Sequence, residues 1–79
     1  MARLFLNIGT NVNSRPGDIL GAIAGESGVP GRMIGSIDMY EKYTFVEVPE
    51  DCAEEILASM KNVKIRGKNV RMELAEKNR

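Results

Sequence analysis

Seventy-nine residues, 43% hydrophobic and 28% charged, make one small folded domain and are too apolar for a disordered tail. Eleven basic and eleven acidic residues cancel, histidine is absent, and Cys52 is the single cysteine. Those counts exclude Ser–His–Asp and Cys–His catalysis, histidine-ligated metal sites, zinc clusters and internal disulfides.

In chain order, Leu4–Ile8 reads as a strand with Leu4, Leu6 and Ile8 on one face and Arg3, Phe5 and Asn7 on the other. Gly9 to Gly17 is rich in Gly, Asn and Ser and predicts a loop. Pro16 and Asp18 suit a helix start, and Ile19, Ala22 and Ile23 recur at helical spacing. Gly28-Val29-Pro30-Gly31 ends that helix. Ile34–Tyr40 is a second strand, Ile37 and Met39 inward, Ser36, Asp38 and Tyr40 outward. Glu41-Lys42 turns the chain into Tyr43–Val48, whose β-branched and aromatic residues alternate strictly.

Pro49 opens a second helix with Glu50 and Asp51 in its first turn. Its Ala53, Ile56, Leu57 and Met60 form an apolar stripe. Val63–Ile65 is a short extended piece, Arg66–Asn69 a turn, and Val70, Met72 and Leu74 a last alternating strand, with a polar tail after Ala75. The predicted order is β-α-β-β-α-β, an α+β split βαβ domain: a four-stranded antiparallel sheet with both helices on one face. The chain is expected to be a single domain over residues 1–79, ordered from about 3 to 75.

The neutral total hides an asymmetry. Residues 61–79 carry seven cations against Glu73 and Glu76, a net of +5; the first sixty carry four against nine acids, a net of −5. A basic end of this kind suits a polyanion surface. The uncovered sheet face is predicted to hold Phe5, Tyr43 and Phe45, three of the chain's four aromatic residues, in its centre. Such a cluster suits base stacking, worth about 1–3 kcal/mol per base. Arg3 and Arg71 on the same face suit phosphate contact or cation–π stacking.

The open-face pattern resembles an RNA recognition motif, with Tyr43 and Phe45 at the aromatic positions of its longer consensus strand. Val48 stands where that consensus ends in an aromatic, and its leading basic-glycine pair is missing. Arg15-Pro16-Gly17-Asp18-Ile19-Leu20-Gly21-Ala22-Ile23, Gly28–Asp38 and Tyr43–Pro49 are similar, in order and spacing, to the C-terminal RNA-binding domain of bacterial DEAD-box RNA helicases of the DbpA and cold-shock DeaD type. That resemblance spans about Arg3 to Ala75. It implies a module anchoring an ATP-dependent helicase core to structured RNA such as ribosomal RNA, in the cytoplasm, with roles of the ribosome-assembly or cold-shock kind. The core's phosphate loop and DEAD box are absent from these residues.

The candidate RNA-binding residues are Phe5, Tyr43, Phe45, Arg3, Asn7, Lys64, Arg66, Lys68 and Arg71, with Lys64, Arg66 and Lys68 on phosphates. Asn7 reads equally as a base contact or as the satisfaction of a strand end. Asn11, Asn13 and Ser14 stand where family members often carry lysines, which weakens a charge role for that loop. Cys52 reads as a packing residue, and the acids of the second helix serve its dipole. No catalytic residue, metal or cofactor is expected, nor a membrane partner; the domain is expected to be a monomer or weak dimer. The competing reading is a protein-interaction or dimerisation module using the same open face.

Overall fold

Alternation and capping in the sequence become a two-layer α+β domain in the computed structural model, which describes residues 1–77. Its elements are β1 (Ala2–Leu6), α1 (Pro16–Ser27), β2 (Ile37–Met39), β3 (Thr44–Val48), α2 (Glu50–Ser59), β4 (Lys64–Ile65), β5 (Lys68–Asn69) and β6 (Met72–Lys77). The main sheet runs β2-β3-β1-β6, all antiparallel, while β4 and β5 pair with each other as a separate hairpin. This is the expected split βαβ arrangement with one added hairpin.

β1 is central and paired on both sides. Ala2, Leu4 and Leu6 are buried towards the helices and meet Val46 and Val48 of β3 with Ile19, Ile23, Ala53, Ile56 and Met60 in one core. Full burial of each large aliphatic side chain contributes about 1.5–3 kcal/mol. α1 starts with Pro16 in its first turn and stops where Gly28 takes a left-handed φ of 79°. α2 starts after Pro49, with Glu50 and Asp51 at its positive end.

Element boundaries differ from expectation in several places, the following for local reasons. β2 keeps only three residues, because Gly31–Met33 forms a 3₁₀ turn ahead of it. Gly35 and Ser36 still bond to Glu47 of β3, but out of regular register, with the Gly35 amide donating to the Glu47 carbonyl. The predicted turn Arg66–Asn69 is half turn and half strand: Arg66 (φ 53°) and Gly67 (φ 80°) alone reverse the chain, with the positive φ pair of a hairpin turn. β6 runs on to Lys77, since β1 reaches back to Ala2 and pairs with it there. Ile8 is fully buried yet lies just past β1.

That Ile8–Gly9 segment is clamped against the β2–β3 turn. The Thr44 hydroxyl, fully buried, donates to the Ile8 carbonyl at 2.6 Å, and the Ser14 hydroxyl to the Gly9 carbonyl at 2.9 Å. The amides of Thr10 and Asn11 donate to the Tyr40 and Glu41 carbonyls. A β-carbon on Gly9 would lie 2.7 Å from both the Glu41 carbonyl oxygen and the Tyr43 nitrogen, so only glycine fits the approach. Thr44→Val keeps the shape but leaves the Ile8 carbonyl buried without its donor. It should cost about 1–3 kcal/mol, read as a lower urea midpoint at unchanged m-value.

Candidate nucleic-acid interface

Register places the open face. Arg3 and Phe5 of β1 stand opposite Glu47 and Phe45 of β3; Phe45 stands opposite Asp38 of β2, and Phe5 opposite Glu73 of β6. Phe5, Tyr43 and Phe45 therefore do come together. Phe5 lies 6.1 Å from Tyr43 in a stacked arrangement, and Phe45 meets Phe5 (6.0 Å) and Tyr43 (5.5 Å) edge-on. These separations are in the favourable range for aromatic pairs.

Tyr40 belongs to the same cluster, stacked on Tyr43 at 5.0 Å, so all four aromatics of the chain share one surface. The candidate set omitted it. The signal was present, since alternation along the second strand already sends Tyr40 outward with Asp38. A two-residue Glu41-Lys42 loop, closed by the Tyr40 amide on the Tyr43 carbonyl, brings the two tyrosines together. They are also the more open rings, Tyr40 46% and Tyr43 38% exposed, whereas Phe5 and Phe45 are half-buried.

Arg3 does not stand free on this face. Its guanidinium lies 4.5 Å from the centre of the Phe45 ring and 3.7 Å from the Asp38 carboxylate. Asp38, Glu47 and Glu73 surround the aromatics with carboxylates, which repel a phosphate backbone laid across them. Asn7 is engaged as a connector: its side-chain oxygen accepts the Arg71 amide at 2.7 Å and its side-chain nitrogen donates to the Asn69 carbonyl at 3.3 Å. Its amide thereby holds the return from the β4–β5 hairpin against the end of β1.

The cations Lys64, Arg66 and Lys68 form a second group, on that hairpin, all exposed around the buried Ile65. Arg66 reaches across to α1, where its guanidinium donates to the Asp18 carboxylate at 3.1 Å. The same carboxylate accepts the Arg15 amide at 2.9 Å, closing the first turn of α1. The hairpin is thus pinned beside the positive end of α1 and Arg15, a favourable setting for an anion. Arg71 lines a groove between the end of α2 and the start of β6, together with Leu57, Met60, Lys61, Asn62, Val70 and Met72. Among the described residues no cluster of His, Cys, Asp and Glu has the makings of a metal site.

The fold and this surface define a domain of the RNA-recognition type. The family model for the DbpA RNA-binding domain matches residues 3–74. The ATP-dependent RNA helicase DbpA of Escherichia coli is 35% identical over 94% of this chain, which covers 16% of that protein. DeaD helicases of Buchnera aphidicola (28% over 94% of the chain) and Haemophilus influenzae (37% over 68%) are similar too, the chain spanning 12% and 9% of their lengths. The chain belongs to the DbpA RNA-binding domain family, a domain carried by DEAD-box helicases and not itself catalytic.

Asp18 has a titration consequence. The Arg15 amide, and after it the Arg66 guanidinium, hold its carboxyl below the ordinary aspartate value. Stability from this carboxylate is full above the unfolded-chain value of about 3.9 and is lost as pH falls below it. Urea unfolding of the parent and of Asp18→Asn should differ at pH 7 and converge towards pH 3. A gap that stays constant with pH contradicts the assignment.

Proposed function

We propose that this domain anchors a DEAD-box helicase core to structured RNA, such as ribosomal RNA, in the cytoplasm. The cations Lys61, Lys64, Arg66, Lys68 and Arg71 meet phosphates, and exposed rings of the sheet face stack unpaired bases. The observation that carries this reading is the concentration of those five cations between α2 and β6, three of them on a hairpin pinned to the start of α1. Family membership supplies RNA as the polyanion. Because carboxylates flank the aromatics, the face suits a base or two splayed onto Tyr43, Tyr40 and Phe5, with the backbone routed along the hairpin. Arg3, already paired with Asp38, positions Phe45 in this scheme, and Asn7 holds the hairpin return.

The same carboxylates favour a second reading, in which the face receives a protein segment carrying Arg or Lys. A folded Phe5→Ala, Tyr43→Ala, Phe45→Ala variant separates the two: weaker RNA affinity supports base stacking, and unchanged affinity supports a protein partner for that face. For the cationic surface, Lys64→Ala and Lys68→Ala should each weaken binding to a structured RNA. Each should also reduce the slope of log K against log salt by about 0.7–0.9, one phosphate contact apiece. An unchanged slope in both would remove the hairpin from the interface.

A further inference from the structure

The groove between α2 and β6 has features that phosphate contact alone leaves unexplained. It is an open groove of about 270 Å³, lined by the apolar Leu57, Met60, Val70 and Met72 and by Lys61, Asn62 and Arg71. That volume falls just under the roughly 300–1,000 Å³ of drug-sized ligand sites, which suits a single heterocycle. Apolar side chains, methionine thioethers among them, pack well against a planar ring. Asn62 adds an amide able both to donate to and to accept from a base edge.

Charge gives the groove a direction. No carboxylate lines this part, and its two charged residues are both cations. On the far side of Leu57 a second cavity, about 190 Å³, is lined by Ala2, Glu50, Ala53, Glu54, Leu57 and Leu74. Leu57 thus separates an anion-accepting half from an anion-repelling half. A ligand with an apolar planar body and a phosphate at one end fits the first half and is refused by the second. The groove also adjoins the cationic hairpin, since the Val70 amide bonds the Val63 carbonyl at the hairpin base.

We propose that this groove is a subsite for one nucleobase extruded from the bound RNA, held on Leu57 and Met72 with its flanking phosphates on Lys61 and Arg71. The proposal rests on the RNA-binding reading and adds a base-sized site away from the sheet face. It makes residues 57–62 and 70–72 one recognition element, built from the end of a helix and the start of a strand that are distant in sequence.

The test is a methyl-detected NMR titration with AMP, GMP, CMP and UMP in turn. Saturable shifts of the Leu57, Met60, Val70 and Met72 methyls are expected with at least one of them. Lys61→Glu, at an exposed position that cannot disturb the core, should weaken that binding by about fivefold. Leu57→Glu, checked for folding by circular dichroism, should abolish it. Shifts confined to residues around Tyr40, Tyr43 and Phe5, or none with any of the four, would overturn the subsite. If the parent domain still binds a structured RNA in that case, the RNA reading stands and the subsite alone falls. If no structured RNA binds the parent domain, both fall.

Discussion

The position of β1 between β3 and β6 governs the rest of this domain. Its even residues, Ala2, Leu4 and Leu6, are 0–1% exposed beneath two helices. Among the described residues its odd positions, Arg3 and Phe5, have no layer above them, because α1 and α2 both pack on the side of Ala2, Leu4 and Leu6. A one-residue slip would exchange the two sets and bury Arg3 and Phe5. The Thr44 hydroxyl on the Ile8 carbonyl and the Asn7 side chain on the β6 approach fix that register at the end of the strand. The aromatic cluster, the hairpin position and the α2–β6 groove all follow from where β1 is held.

Charge is divided among surfaces rather than spread. Carboxylates predominate at the starts of both helices and around the aromatics, where Arg3 and Arg15 are the cations they face; the hairpin and the end of α2 carry the other main group of cations. Asp18 links the two populations, capping α1 and receiving Arg66 from a turn whose left-handed backbone would ordinarily favour glycine or asparagine. That ion pair is exposed and contributes little to stability by itself. Its consequence is geometric, since it sets Lys64 and Lys68 beside the start of α1. The zero net charge is therefore compatible with a polyanion partner, because the cations of residues 61–71 are concentrated apart from most of the acids.

Alternation made β1 and β3 legible, and proline and glycine marked both helices, because each signal is local in sequence. Phe5, Tyr43 and Phe45 could be grouped for the same reason. The β4–β5 hairpin was half legible: its first strand and its turn show in the sequence, but the second strand, Lys68–Asn69, is only two residues long and merges with the turn. Nor was the carboxylate surround: Asp38, Glu47 and Glu73 become neighbours of the aromatics only once strand register is known. Tyr40 was readable from its outward parity but lay at the edge of the second strand. The α2–β6 groove joins Leu57 to Met72 across fifteen positions of chain, a proximity that no periodicity announces.

The central claim is that RNA lies along the hairpin and the end of α2, touching the sheet face only through bases. Amide chemical-shift mapping of the labelled domain with a structured ribosomal RNA fragment tests it most directly. The account predicts the largest shifts over residues 61–72 and at Arg15–Asp18, with smaller ones at Tyr40, Tyr43 and Phe5. A footprint running across Arg3, Phe45, Asp38 and Glu73 while the hairpin amides stay unmoved would contradict it.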